Sequence, residues 1–288
     1  MHNWKFVMKA NRLYRFLIVA IALVAFSACI KVTHSVGAND HNYVDSKELG
    51  KVVEKTIETG EFTGINVSGA VQVILLQSED SLFYSVTARG NEKCLEAYNI
   101  HVQDGKLIAQ QKHDTSKITS IFNGDAPRIT LTVSVPRLYD IELSGACILR
   151  QNSTFHQRQC FFVHASGASE VRFADFETDM LILNLSGAGD VDLEKVNCIG
   201  GLEIDASGAA DINGNITSQT LVANVSGAGD VDLCINCSSD VSIHASGAAD
   251  IELRGQCKNL KVEANKYSCD VDIDQLEVTG TKDVPVED

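Results

Sequence analysis

The chain has 288 residues, of which 44% are hydrophobic and 22% charged, and its formal net charge is −14 at pH 7. An acidic surface repels nucleic acids and anionic lipids and favours cations or basic partners. The charge therefore excludes nucleic-acid binding.

Residues 1–28 predict a signal peptide for secretion. Four positive residues precede the apolar run 16–26, which is too short to cross a membrane comfortably and matches the hydrophobic region of a signal peptide. Met8 is an alternative start that would give this signal more ordinary proportions. All acidic residues follow position 28, so removal of the signal leaves a net charge of −18.

The signal ends in Ser27-Ala28-Cys29, which resembles a bacterial lipobox, although Phe26 stands where leucine is usual. The resemblance implies cleavage before Cys29 and diacylglycerol on its thiol, so that the chain is anchored by lipid and does not span the membrane. Residues 30–33 contain no acidic run, which by resemblance to lipoproteins of Gram-negative bacteria favours the outer membrane, on either its periplasmic or its outer side. Plain secretion is the alternative.

The next two segments are less regular. Residues 29–55 are polar and predict a tether with a short helix, and residues 56–143 predict an irregular N-terminal β portion. Within it, Asp104-Gly105 predicts a hairpin turn between strands at 98–102 and 106–110. Residues 91–97 predict one helical turn.

The most informative pattern is a phrase, Ser-Gly-Ala-x-Asp-Val/Ile, that returns every 19 to 22 residues between 144 and 280. A period of this length indicates a solenoid, in which each unit buries its apolar side only against its neighbours. The last copy, at 266–271, has decayed, and residues 281–288 form a C-terminal tail. The serines of the other copies are Ser144, Ser166, Ser186, Ser207, Ser226 and Ser246.

Apolar and polar residues alternate on both sides of each Gly-Ala, which is the pattern of strands with one buried face. From the copy at Ser166 onward, the fifth residue after the serine position is β-branched in every copy. We therefore predict an all-β fold, a right-handed parallel β-helix-like solenoid with coils of about 20 residues. In such a solenoid Val191, Ile212, Val231 and Ile251 would form one interior column.

The cysteines do not have the spacing of a zinc site, since the one close pair, Cys234 and Cys237, has no second pair or histidine nearby. Cys237 and Cys257 each lie 11 residues after a repeat serine. Equivalent positions in adjacent coils lie about 4.8 Å apart, within the Cα separation of a disulfide. The pattern predicts either a disulfide or two buried free thiols.

Acidic residues recur four positions after the serine, so the solenoid would stack them in an outward column. Solvation with splayed side chains, hydrogen bonds to the backbone, or a Ca²⁺ ion between coils could compensate their repulsion. The sequence has neither an EF-hand loop nor the glycine-rich phrase of calcium-binding β-rolls, so we predict no cofactor and keep Ca²⁺ as the alternative. The candidate cation-binding residues are Asp190, Asp211, Asp230, Asp250 and Asp270.

Other chemistry is weakly represented. His164 and His244 share an outward column but lie four coils apart, so we interpret this column as surface and not as a site. We do not expect the serines of the repeat to act as nucleophiles, because a single active site does not need a serine in every coil. We find no nucleophile elbow, metalloprotease helix or phosphate-binding loop, and predict no catalytic residues.

Gly64-Ile65-Asn66, followed by Val67-Ser68-Gly69 and the Ser-Gly-Ala repeats, resembles the bacterial family called putative auto-transporter adhesin, head GIN domain. The resemblance runs from about Thr56 to Val278. It implies a β-helical lipoprotein or secreted protein of the kind found in Bacteroidetes, with an adhesin label that comes from similarity.

We therefore expect a non-enzymatic envelope lipoprotein that serves as an adhesin or binding scaffold for a polysaccharide or for an envelope or host protein. Two alternatives are a β-helical carbohydrate-active enzyme, either polysaccharide lyase or hydrolase, and a calcium-binding structural protein of the envelope.

Overall fold

A computed structural model describes residues 49–112, 128–264 and 267–284 of the chain. The predicted signal peptide and Cys29 lie outside these ranges. Strands of successive coils stack in parallel into a β-solenoid, which confirms the predicted fold class. Within the described ranges, none of the helices has the length and apolar character needed to cross a membrane.

The N-terminal portion mixes antiparallel and parallel pairing. Strand β1 pairs antiparallel with β4, β4 with β7, and β5 with β6, whereas β2 and β3 pair in parallel with β6 and β7. The predicted hairpin and helical turn are both present. The elements are β1 (Val52–Ile57), β2 (Gly64–Gly69), β3 (Val71–Gln77), β4 (Ser85–Asn91), α1 (Glu92–Glu96), β5 (Tyr98–Gln103), β6 (Lys106–Gln111) and β7 (Ile129–Val135).

The remaining strands build the regular coils. They are β8 (Asp140–Gly145), β9 (Ile148–Gln151), β10 (Phe155–His156), β11 (Cys160–Gly167), β12 (Glu170–Phe173), β13 (Phe176–Gly187), β14 (Asp190–Gly208), β15 (Asp211–Gly227), β16 (Asp230–Cys237), β17 (Asp240–Gly247), β18 (Asp250–Cys257), β19 (Asn259–Ala264), β20 (Asp270–Val278) and β21 (Lys282–Asp283). Strands β14 and β15 pair in three stretches separated by two bulges. These three stretches are the sides of one coil.

Two boundaries differ from those expected from sequence. Strand β1 begins at Val52, so the last residues of the segment expected as a tether pair with β4. Strand β21 lies in the segment expected as a tail and pairs with β19. Neither short strand carries the repeat phrase, so the alternation that marks the other strands is missing from the sequence there.

The interior consists of straight columns of apolar side chains. Val191, Ile212, Val231 and Ile251 lie in register in successive coils, and each is at most 1% exposed. The predicted interior column is therefore confirmed. Burial of one such side chain stabilises the fold by about 1.5–3 kcal/mol, so the columns contribute strongly to cohesion between coils.

The first regular coils are filled by a cluster of aromatic rings. Phe161 lies 5.0 Å from Phe176 between ring centroids, and Phe173 lies 4.6 Å from Phe176. Beside them the fully buried Gln151 accepts hydrogen bonds from the backbone N–H groups of Ala174 and Asp175 and donates to a backbone carbonyl. The buried amide thus adds to the backbone hydrogen bonds of this corner, where the Ala174 N–H also donates to the Gln151 carbonyl and the Asp175 carbonyl also accepts from the Phe155 N–H.

At the C-terminal end, β20 pairs with β18 on one side, and no described strand pairs with its other edge. This edge carries Asp270, Asp272, Asp274 and Glu277. Charged residues on an exposed edge discourage pairing with other chains. The acidic strand therefore ends the stack.

The bend after each repeat serine requires glycine for two reasons. Gly167 has φ +83°, and a Cβ at this position would lie 2.7 Å from the carbonyl oxygen of Gly145 in the preceding coil. That same oxygen accepts a 2.9 Å hydrogen bond from the N–H of Ala168. A side chain would thus meet both an unfavourable backbone conformation and the hydrogen bond that joins the two bends.

We predict that Gly167→Ala lowers the free energy of unfolding by about 2 kcal/mol or more, because it combines left-handed strain with a backbone clash. Gly105→Ala is the matched control, since Gly105 has φ +72° and a methyl group there would meet no other atom within 4 Å. It should cost only about 1 kcal/mol. Urea unfolding of both variants measures the difference, and equal losses would contradict the role of the clash.

Candidate functional site

A concave trough of about 1160 Å³ runs across the strands of the solenoid. We call it the axial groove. It lies between two rows of outward side chains, the serine ladder and the polar ladder. The serine ladder is Ser144, Ser166, Ser186, Ser207, Ser226 and Ser246, and the polar ladder is Asn66, Glu142, His164, Asn184, Asp205, Asn224, His244 and Glu263.

The strand geometry explains why these two rows run side by side. In each coil the residue between the two ladders is buried, as Ala165 and Leu185 are, so the residues on either side of it point outward. Register pairing places each ladder residue directly beside its counterpart in the next coil. The two rows are thus separated by about 6.6 Å, the length of two strand residues.

Three of the six serine-ladder hydroxyls donate to the backbone of the preceding coil. Ser166 donates to the carbonyl of Leu143 at 3.3 Å, and Ser207 and Ser226 make equivalent bonds at 3.3 and 3.4 Å. A hydroxyl that donates its hydrogen in this way still has acceptor lone pairs for the groove. These bonds occupy the hydrogen that a catalytic base would have to remove from a nucleophile.

The polar ladder is held by hydrogen bonds between neighbouring coils. Asn184 Nδ2 lies 3.2 Å from His164 Nδ1, and Asn224 Nδ2 donates to Asp205 Oδ1 at 2.6 Å. His244 Nε2 lies 2.9 Å from a carboxylate oxygen of Glu263. The ladder therefore presents prearranged amide, imidazole and carboxylate groups.

Lysines neutralise the carboxylates at the two ends of the polar ladder. Lys106 Nζ lies 2.7 Å from both Asp140 and Glu142, and these hydrogen bonds raise the pKa of Lys106. At the other end Lys261 pairs with Glu263, which raises the pKa of Lys261. Asp205 is thus the carboxylate in the middle of the groove.

The sequence placed His164 and His244 in one outward column, and the structure confirms that arrangement. It also brings this column beside the serine ladder in one concavity, which the sequence pattern did not predict. The sequence feature that corresponds to the groove is the recurrence of two outward polar positions separated by one buried residue. Whether such a pair of rows lies on a flat or a concave surface depends on the shape of the whole coil.

The predicted acidic column is also present. Glu170, Asp190, Asp211, Asp230, Asp250 and Asp270 pair in register from coil to coil. Among the residues that the structure describes, no group of three or more His, Cys, Asp or Glu side chains is arranged to hold a metal ion. The cation-binding role of the five aspartates therefore gains no supporting geometry and stays an alternative.

Basic side chains compensate part of the charge of this column and of the neighbouring column, which lies two residues further along each strand and includes Asp192 and Asp232. Arg150 lies 3.1 Å from Glu170, Arg172 lies 3.1 Å from Asp192, and Arg254 pairs with Asp232. Desolvation and the neighbouring Asp211, Glu170 and Asp192 nevertheless raise the pKa of Asp190. The column thus retains some repulsion at neutral pH.

A raised carboxyl pKa means that the folded chain binds a proton more readily than the unfolded chain does, so the ionised group destabilises the fold. We predict that Asp190→Asn increases the free energy of unfolding at pH 7, and that this gain fades as pH falls through the raised pKa. The effect is small, because Asp190 is exposed and solvent screens its charge.

The matched control for Asp190→Asn is Asp175→Asn, which should change the free energy of unfolding in the opposite direction. A hydrogen bond from Lys195 lowers the pKa of Asp175, so its ionised form stabilises the fold until pH falls through that lowered pKa. Asp175→Asn should therefore lose stability at pH 7. Melting temperatures measured from neutral to acid pH, with and without millimolar Ca²⁺, test both variants. A calcium-dependent rise that Asp190→Asn removes would support the cation alternative.

The two cysteines predicted to pair lie in one interior column. The column runs from Cys198 through Ser218 and Cys237 to Cys257 in successive coils. Cys237 and Cys257 are buried free thiols here, and Cys237 Sγ lies 3.1 Å from Ser218 Oγ. Desolvation raises the pKa of Cys257 to about 11 and that of Cys198 to about 12. The disulfide between Cys237 and Cys257 stays a prediction.

Because the thiolate is the reactive form, we predict that alkylation of the folded chain without reductant labels the exposed Cys160 and Cys234 and spares Cys198, Cys237 and Cys257. Mass spectrometry of the labelled peptides measures this. After unfolding without reductant, labelling of Cys237 and Cys257 would exclude a bridge between them, whereas their protection beside a labelled Cys198 would establish one.

Comparisons with known proteins agree with this architecture. One similar solved structure is a putative adhesin from Bacteroides fragilis NCTC 9343, with 18% identity, a TM-score of 0.62, and coverage of 81% of this chain and 97% of that one. A putative lipid binding protein from Parabacteroides distasonis ATCC 8503 has 14% identity, a TM-score of 0.56, and coverage of 82% and 98%. A putative adhesin from the same strain has 16% identity, a TM-score of 0.54, and coverage of 81% and 97%. No curated protein matches the chain.

At these identities the solved structures show a shared fold. The family described as "putative auto-transporter adhesin, head GIN domain" matches residues 61–194 and again residues 195–283. The boundary between the two matches lies inside β14, so both matches belong to one continuous solenoid. Because they cover most of the sequence, this chain belongs to the family of putative auto-transporter adhesins with a head GIN domain.

Proposed function

We propose that this chain is a non-enzymatic, lipid-anchored protein of the bacterial envelope that serves as an adhesin-like binding scaffold, with the axial groove as its binding surface. The observation that carries the proposal is the groove itself. Two ladders of polar side chains line it over many coils, and hydrogen bonds fix their positions before any ligand arrives. Such preorganisation reduces the entropy lost on binding.

The absence of catalysis is part of the proposal, and three features support it. Ser166, Ser207 and Ser226 direct their hydroxyl hydrogens to backbone carbonyls. The two groove histidines pair with Asn184 and Glu263 rather than with a serine. The same polar positions recur along the stack, as an extended binding surface requires and a single reaction centre does not.

A β-helical carbohydrate-active enzyme is the competing proposal. It would release reducing ends from a polysaccharide, whereas a scaffold binds the same polymer without shortening it. Incubation of the chain with linear glucans, mannans and polyuronates, followed by a reducing-sugar assay, separates the two. If the wild type releases reducing ends and Ser207→Arg does not, the chain is an enzyme and the scaffold proposal is wrong.

The lipid anchor is proposed from the sequence at Cys29. The family membership is consistent with an envelope location. Acyl chains transferred to this thiol would hold the solenoid at the membrane surface.

We predict that the expressed chain partitions into the detergent phase on Triton X-114 separation, because the acyl chains are apolar. Cys29→Ala should move it to the aqueous phase, and mass spectrometry should show the loss of the acyl groups. Cys160→Ala is the control and should leave the partition unchanged. Equal partition of the wild type and Cys29→Ala would contradict the anchor.

Adhesion is tested with beads that carry the mature chain, applied to surfaces coated with mucin, with extracted envelope polysaccharide, or with collagen. We predict retention on at least one surface. Ser207→Arg should abolish that retention, because a long charged side chain then lies across the middle of the groove. Thr217→Arg introduces the same side chain on another exposed part of the solenoid and should leave retention unchanged. Failure on all three surfaces, or equal retention of the two variants, would overturn the proposal.

A further inference from the structure

We infer that the axial groove takes a linear, uncharged polysaccharide that runs along the solenoid axis with close to one sugar per coil. The inference rests on the proposed function and names the ligand class of the same site. Three properties of the groove carry it: the repeat distance, the hydrogen-bonding groups and the charge.

The repeat distance favours sugars over peptides. Register pairing repeats the groups of each ladder about every 4.8 Å along the axis. A pyranose unit of an extended glycan advances by nearly the same length, so successive sugars would meet equivalent groups. An extended peptide advances about 3.3 Å per residue and a polyproline II helix about 3.1 Å. Neither places one residue beside each coil.

The hydrogen-bonding groups suit hydroxyls, which both donate and accept. Ser166, Ser207 and Ser226 have donated their hydrogens to the backbone and so offer acceptor lone pairs to the groove. Across the groove the amide of Asn224 uses one of its two N–H groups on Asp205, and the other remains for a ligand. A sugar between the ladders therefore finds acceptors on one side and a mixed row on the other.

The charge of the groove disfavours polyanions. Its lining includes the carboxylates of Glu142, Asp205 and Glu263, and none of the described residues that line it is Lys or Arg. A polyuronate or sulfated chain would bring like charges beside Asp205 without a cationic partner. Because Lys106 and Lys261 already neutralise the carboxylates at the ends, the groove offers little attraction to a polycation either. An uncharged chain meets no such penalty.

The length of the groove sets the length of its ligand. The six serines that line it span about 24 Å at about 4.8 Å per coil. Each added sugar gains contacts until the chain fills this span, after which further sugars extend into solvent. Affinity should therefore rise with chain length and level off at about six sugars.

The experiment is isothermal titration of the mature chain with oligosaccharides of about two to about ten sugars, drawn from linear β-1,4-glucan and β-1,4-mannan, with polyuronates of matched length as the charged series. We expect at least one neutral series to bind with an affinity that rises and then levels off with chain length. The polyuronates should bind about tenfold more weakly or not at all.

Variants locate the binding. Ser207→Arg should weaken binding of the longest neutral oligosaccharide by about tenfold or more, and Asn224→Ala by several-fold. Thr217→Arg should bind as the wild type does, and equal melting temperatures of the two arginine variants exclude unfolding as the cause. The inference is overturned if no neutral series binds, if polyuronates bind as well as neutral chains, if affinity is independent of length, or if Ser207→Arg binds normally.

The bead assay distinguishes this inference from the proposed function. Retention on collagen alone, abolished by Ser207→Arg, would keep the adhesin-like role of the groove and overturn the glycan. Retention on mucin or envelope polysaccharide that periodate oxidation of the surface destroys would support the glycan. Loss of retention on every surface would overturn the adhesin-like role even if titration still detected a bound oligosaccharide.

Discussion

The close stacking of backbone at the Gly-Ala bend is the constraint on which the rest of the structure depends. The carbonyl of Gly145 receives the N–H of Ala168, and the carbonyl of Gly167 receives that of Ala188, each at 2.9 Å. These bonds leave no room for a side chain at the glycine. Each bend lies in register with the bend of the preceding coil. All remaining positions of the coil are therefore in register as well, and like residues form columns.

The columns have different physical consequences inside and outside. Inside, Val191 stacks on Ile212 and gains cohesion from apolar burial. Outside, Asp190 stacks beside Asp211 and meets repulsion, which arginines such as Arg172 reduce in the neighbouring column. The polar and serine ladders avoid that cost, because amides, hydroxyls and imidazoles alternate with the few carboxylates. The axial groove is thus the outward surface on which stacking produces regular chemistry with little repulsion.

Much of this could be predicted from the sequence because the repeat is short and regular. The period of the Ser-Gly-Ala phrase predicted the solenoid, alternation predicted which residues face inward, and the spacing predicted the columns of Val191 and Asp190. The predictions were weakest where the phrase is missing. Strand β1 pairs antiparallel with a strand more than 30 residues later, and no local pattern near Val52 indicates such a partner. The short strand β21 was not predicted for the same reason.

The sequence by itself determined the period, the strands, the buried columns and the family, because each follows from local spacing and from the steric demands of glycine. Only the tertiary structure decided that the serine row and the row of His164 and His244 line one concave groove, and that lysines neutralise its ends. The reason is physical. Curvature of a surface arises from how all sides of a coil close on themselves, and an ion pair such as that of Lys106 with Glu142 joins strands whose proximity the repeat does not encode.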